Sequence, residues 1–171
     1  GNGFYPTKQR ADLFGISQKQ LKEVFWAGVD ADYKTMRQTG LVIKRLFDEG
    51  RTVRITKPNG TDLTVQLAGA GALVSDGVIS VDDERQGGAA TTVWLPAGEV
   101  FVAPALNTAE GVIVADHYFY QGQVVEELRL EFAEGRLTSM TAAKGVAAVQ
   151  AYYEVSGEGR DLFSVIDIGI N

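Results

Sequence analysis

The chain has 171 residues, 45% apolar and 22% charged, which is the size of one domain and an ordinary globular composition; disorder, collagen-like repeats and a disulfide scaffold are excluded. With no cysteine and a single histidine, His117, it can form no disulfide, thiolate-bound zinc or cysteine nucleophile, and any zinc site made by this chain alone would be almost all carboxylate. A net charge of −6 without a Lys/Arg cluster opposes phosphate recognition, and no apolar run reaches membrane-spanning length, so neither nucleic acid nor membrane is an expected partner.

The opening Gly1-Asn2-Gly3 lacks the basic and apolar segments of a signal peptide, and the missing initiator methionine suggests processing or excision from a longer protein. Ser17-Gln18-Lys19-Gln20 has the capping-box pattern, and Leu21, Val24, Phe25 and Val29 follow at helical spacing. A second helical pattern runs through Tyr33, Met36, Gly40, Ile43 and Phe47, with a break between Gly28 and Asp32 and a left-handed cap expected at Gly50. The period then changes to two. Val53 and Ile55, the turn Pro58-Asn59-Gly60, and Leu63, Val65 and Leu67 predict a hairpin.

Short strands are expected at 72–74 and 78–81, followed by a loop over 82–90. Further strands are predicted at 112–115 and 126–132, the latter with Leu128, Leu130 and Phe132 on one face and Glu127, Arg129 and Glu131 on the other. Glu134-Gly135 should turn the chain into a strand at 136–140, with a helix over 141–153 and a closing strand over 162–168. The reading is a single α+β domain over residues 1–171. Its N-terminal helices and late helix pack on a mostly antiparallel sheet that could close toward a barrel.

Familiar catalytic signatures are missing: there is no Gly-x-Ser-x-Gly elbow, no phosphate-binding Gly-Lys-Ser/Thr loop and no His-Glu-x-x-His helix. Gly69-Ala70-Gly71 lacks the third glycine of a dinucleotide loop and follows a hairpin strand, so it reads as a loop. Asp116-His117 has no nucleophile or further nitrogen ligand nearby in sequence, and Asp82-Asp83-Glu84 lacks the spaced oxygens of a calcium loop. Both read as surface features.

The segment Leu95-Pro96-Ala97-Gly98-Glu99-Val100-Phe101-Val102-Ala103-Pro104 is different, because one acid stands among apolar residues between two prolines. A carboxylate in such a setting needs a hydrogen bond, a cation or a metal, which makes Glu99 the strongest site candidate. The plainer reading is that Glu99 tethers the loop.

The run Pro-Ala-Gly-Glu-Val-Phe-Val-Ala-Pro resembles the characteristic segment of the aminopeptidase T and aminopeptidase S family, two-metal metallopeptidases of the thermophilic leucyl-aminopeptidase type. The resemblance extends from about Phe4 to Asn171, through Tyr5-Pro6-Thr7, Val29 to Tyr33, Val53-Arg54-Ile55-Thr56, Gly60-Thr61-Asp62-Leu63-Thr64, Glu110 to Asp116, Gly122 and Leu130 to Arg136. It implies removal of N-terminal amino acids from peptides by two divalent metals, zinc or cobalt, with Glu99 as a metal ligand, and a dimeric habit. The family's second glutamate lies in a segment ending Gly-x-Asn. Aligned on Gly169-Ile170-Asn171, that position holds Val165, which cannot bind metal, and using Asp167 instead would slide the strand by two residues. The family's histidines and aspartate would follow Asn171, its N-terminal domain would precede Phe4, and His117 falls at no ligand position.

The resemblance therefore implies the middle segment of a metallo-aminopeptidase-like protein, inactive by itself, holding no metal tightly and acting on peptides only within an active full-length protein. The alternative is a non-catalytic binding or assembly module that keeps the fold. A third reading is an unrelated small enzyme that uses Glu99 with Asp116 or His117.

Overall fold

The structure is a computed structural model that describes residues 5–69 and 71–171; Gly1-Asn2-Gly3, Phe4 and Ala70 lie outside the described residues. The chain divides into two compact units, one of Gly1–Glu49, Ala70–Val102 and Ile166–Asn171, the other of Gly50–Gly69 and Ala103–Val165. The backbone crosses between them four times, so neither unit is one continuous stretch.

The first unit begins with helices α1 (Lys8–Leu13), α2 (Gln18–Val29) and α3 (Tyr33–Glu49). Ser17 and Gln20 form the expected capping box, satisfying amides that the first turn of α2 leaves without helical partners. The break falls where expected, with Asp30 ending α2 and the Asp32 carboxylate receiving the Lys34 and Thr35 amides at the start of α3. Helix α3 stops at Glu49, but Gly50 is not among the described glycines with positive φ, so the predicted left-handed cap is not formed.

Strands β3 (Leu73–Ser75) and β4 (Glu99–Val102) belong to this unit, as does β8 (Ile166–Gly169); they form an antiparallel sheet in the order β3-β4-β8. Alternation along β4 sends Val100 and Val102 into the core and leaves Glu99 on the opposite face. Helix α3 approaches the sheet at Gly40, where a β-carbon would come within 2.5 Å of Val74 and 3.7 Å of Val100. Met36 and Phe47 bury their side chains on the same helix, each worth roughly 1.5–3 kcal/mol of apolar transfer.

The expected strand at 78–81 and loop at 82–90 are replaced by helix α4 (Val81–Gln86) and a 3-10 turn at Gly88–Thr91. Ser80 and Asp83 form a capping box, and Asp82, Asp83 and Glu84 occupy a first turn that favours negative charge. Three apolar residues among the four at 78–81 suggest a short strand, whereas the cap decides the local structure.

The second unit holds β1 (Thr52–Lys57), β2 (Thr61–Gln66), β5 (Glu110–Tyr120), β6 (Gln123–Ala133), β7 (Arg136–Thr141) and helix α5 (Val146–Val155). Its sheet is antiparallel throughout, in the order β1-β2-β5-β6-β7. Leu63 and Val65 on β2 are fully buried, while the alternation leaves Asp62 exposed and Thr64 half-buried. Two-residue turns at Gln121-Gly122 and Glu134-Gly135, all with positive φ, close the β5–β6 and β6–β7 hairpins with the twist that antiparallel strands prefer. Leu128, Leu130 and Phe132 do share a face, lining one cavity with Leu137, Met140 and Phe163.

The α+β class holds, but this sheet stays open, with β1 and β7 as edges and no ladder between them. Two further departures have local causes. Helix α5 starts only at Val146 because β7 runs on to Thr141 and Gly145 takes a left-handed conformation. The closing strand is shortened to β8 and pairs with β4, while Leu162 makes only an isolated bridge to Arg136.

Candidate functional site

Glu99 stands at the head of β4, immediately after a loop whose Leu95–Pro96 peptide is cis. The loop is held from three sides. The Gly98 amide donates to the Ser75 carbonyl at 2.8 Å, and the Ile170 amide donates to the Gly98 carbonyl at 2.8 Å. The Asn171 side-chain amide donates to the carbonyls of Gly28 at 2.9 Å and Ala97 at 2.6 Å, tying the end of α2 to the loop. Gly98 has φ of +122°, and a β-carbon there would lie 2.6 Å from that of Asn171, so only glycine fits both the conformation and the space. Glu99 is thus carried on a backbone with little freedom.

The register decides what stands around it. Glu99 pairs directly with Gly169, while Phe101, two residues on and on the same face, pairs with Asp167. Glu99 and Asp167 are therefore diagonal neighbours above one face of the sheet, within reach of each other. Gly169 places no side chain between them, and Ser75 flanks Glu99 on the other strand.

Desolvation first, then the charge of Asp167 and a side-chain hydrogen bond with it, push the Glu99 carboxyl above the usual glutamate range. Since Glu99 as a residue remains exposed, that desolvation is a partial loss of hydration and not full burial. Among the described residues neither acid forms an ion pair. Two cations that line a second cavity together with Glu99 are paired with other acids, Arg37 with Asp76 at 2.9 Å and Lys44 with Asp48 at 2.7 Å.

Beside Glu99 opens a pocket of about 730 Å³, walled by Leu21, Val24 and Phe25 of α2 together with Trp94, Pro96 and Ala97. Its polar edge consists of Ser75, Glu99 and Asn171. Apolar walls with a few convergent polar groups and a perturbed carboxyl are the usual features of a small-ligand site.

The other sequence candidates lie in different surroundings. Asp116 on β5 is paired with Lys57 and accepts from Asn59, and those two contacts hold its carboxyl below the usual aspartate range. His117 stands exposed opposite Glu126. Asp83 is consumed by the cap of α4. Val165 lies exposed just before β8 begins. Asp167, which stands two residues from the position aligned with the family's second glutamate, lies on β8 as a same-face diagonal neighbour of Glu99. The only sequence signal for this was the two-residue parity among 165, 167 and 169, and parity does not say which strand is the partner.

A pair of carboxylates suits a hard or borderline cation, yet a catalytic zinc takes three protein ligands. Among the described residues no group of three or more His, Asp or Glu side chains could hold a metal ion, so the pair fits one edge of a metal centre and not the whole of one.

The family described as thermophilic metalloprotease (M29) matches residues 31–162, and the chain belongs to it. Glu99 and the pocket loop lie inside the matched segment, whereas Asp167 and Asn171 lie beyond it. Among solved structures the chain is similar to wild-type AmpT from Thermus thermophilus, with 22% identity, a TM-score of 0.61 and coverage of 96% of this chain and 42% of that one. It is also similar to 2,5-dihydroxypyridine dioxygenase from Pseudomonas putida KT2440, with 18% identity, a TM-score of 0.63 and coverage of 86% and 41%. At these identities the likeness concerns the fold alone, and the chain spans about two-fifths of the length of either structure. A comparison with curated proteins gave no match. No helix among the described residues is long and apolar enough to cross a membrane.

Proposed function

We propose that the chain is part of a metal-dependent aminopeptidase, that Glu99 is one of its metal ligands, and that these 171 residues alone have no peptidase activity. One observation carries the reading: in a chain of a metalloprotease family, Glu99 sits on a tied loop facing a second carboxyl, with no ion pair to it among the described residues. Divalent metals, when bound, supply polarisation of the scissile carbonyl and an activated water. The part of this chain is to hold the Glu99 carboxylate in place through Gly98 and Asn171, and to keep an apolar wall beside it. The substrate is a peptide with a free N-terminus, the metals are two ions of zinc or cobalt, and self-association into a dimer belongs to the same reading.

The test is a zinc and cobalt titration of the purified chain by calorimetry, together with leucine p-nitroanilide hydrolysis in the presence of each metal. Weak metal binding that is lost in Glu99→Gln, with hydrolysis at background, is expected. Metal binding unchanged in Glu99→Gln would remove the ligand assignment, and robust turnover would remove the claim of inactivity. A non-catalytic binding module is favoured by the two-carboxylate donor set; it predicts that longer forms bearing further donors are inactive as well.

A further inference from the structure

The turn between β1 and β2 contains Asn59-Gly60. Asparagine followed by glycine is the dipeptide most open to deamidation, because the glycine carries no side chain to hinder its own backbone nitrogen from reaching the asparagine Cγ. In the fold, each side-chain polar atom of Asn59 is engaged. Its Nδ2 donates to the Val114 carbonyl at 2.9 Å and to the Asp116 carboxylate at 2.8 Å. Its Oδ1 accepts from the Thr61 amide at 3.2 Å and the Thr61 hydroxyl at 2.9 Å. The Gly60 amide, the nitrogen that would attack, donates to the Lys57 carbonyl at 3.2 Å.

These contacts form a latch where the ladder between β2 and β5 stops. The two strands pair only from Asp62–Val112 to Thr64–Glu110. At the next rung the Val114 amide donates to the Thr61 hydroxyl at 3.0 Å and the Val114 carbonyl accepts from Asn59, so two side chains stand in for a strand. We propose that Asn59 is a deamidation site gated by opening of this latch, and that the modification loosens the hold of the β1–β2 hairpin on β5. The proposal is independent of the peptidase reading.

In the opened turn the Gly60 nitrogen gives its proton to solvent and bonds to the Asn59 Cγ. The Cγ–Nδ2 bond breaks, ammonia leaves, and water then opens the resulting succinimide to aspartate or isoaspartate. With the latch closed, the Cγ is pinned and the Gly60 proton is occupied, so the rate follows the population of the locally opened state. Either product places a carboxylate where the amide donated. The Val114 carbonyl then loses its partner, and Asp116 meets a like charge in its place. Lys57, already paired with Asp116, is the cation at hand to soften that repulsion.

The test incubates the full chain in mildly alkaline buffer below its melting temperature and follows deamidation at Asn59 by peptide mapping and mass spectrometry, beside a synthetic peptide of residues 52–66. The folded chain should deamidate more slowly than the peptide by about tenfold or more, and urea below the unfolding transition should bring its rate toward the peptide's. Asp116→Ala and Thr61→Val, each removing partners of Asn59, should accelerate the reaction with an unchanged circular dichroism spectrum. Asn59→Asp, the product itself, should melt lower than Asn59→Ala at low salt, because it adds charge as well as removing the latch. A folded chain that deamidates at the peptide's rate, or a rate indifferent to urea, overturns the gating. If neither partner variant folds, the urea series on the unaltered chain decides alone. An Asn59→Asp melt equal to that of the unaltered chain overturns the loosening of β5.

Discussion

The paired acids of the five-stranded unit and Glu99 of the three-stranded unit are treated in opposite ways, although Asp32, Asp48 and Asp83 of the latter unit are also held below their usual range. In the five-stranded unit Asp62 is gripped by Arg54 through two hydrogen bonds, Asp116 by Lys57 and Asn59, and Asp161 by Arg136, and each carboxyl is held below its usual range. In the three-stranded unit Glu99 has an acid for a neighbour and is pushed the other way. Paired acids on a solvated sheet face ask little of the fold and return little. An acid pair without a cation works against the fold, and it persists here on a loop fixed by Gly98 and Asn171. That contrast, more than the presence of any one residue, separates the candidate site from the ordinary surface.

The largest effects expected from testing this contrast lie in the cores that support each face. Leu63→Ala, at a fully buried position of β2, should cost about 2–5 kcal/mol in chemical denaturation. Gly98→Ala should cost about 2–3 kcal/mol, because the new β-carbon meets Asn171 at a backbone angle that only glycine adopts freely. We propose that residues 1–171 unfold as one domain, so both variants should shift the same single transition. Two transitions, one moved by each variant, would make the units independent.

The fold was legible where the determinants are local. The Ser17–Gln20 cap, the Pro58-Asn59-Gly60 hairpin and the Glu134-Gly135 turn each involve neighbours in sequence, and all three form. Residues 78–86 were misread because a short apolar run fits a strand and a helix equally well, while the Ser80–Asp83 cap that settles it spans only four residues. The division into two sheets was out of reach, since β3, β4 and β8 are joined by pairings between segments far apart along the chain. Glu99 stands out within its own segment, whereas Asp167 acquires its meaning only from the β4–β8 register.

The smallest expected effects test the acids themselves and should differ in sign. The Glu99 carboxyl binds its proton more tightly in the folded protein, so its contribution falls as pH rises from the ordinary glutamate range through its raised value. Glu99→Gln should therefore raise the melting temperature slightly at neutral pH, with the gain fading in acid. Asp116 binds its proton less tightly when folded, so its contribution is present above the ordinary aspartate range and is lost as pH falls through its lowered value. Asp116→Asn should lower the melting temperature slightly at neutral pH and have no effect in strong acid, and added salt should shrink that loss because the pair is exposed. Parallel melts of the two variants against pH decide the matter. If Glu99→Gln destabilises at neutral pH as Asp116→Asn does, Glu99 is a tether for its loop and the contrast between Glu99 and the paired acids disappears. If the two curves diverge as pH rises, the fold is carrying a carboxyl pair that does not serve its own stability, which is what a binding site for a cationic group requires.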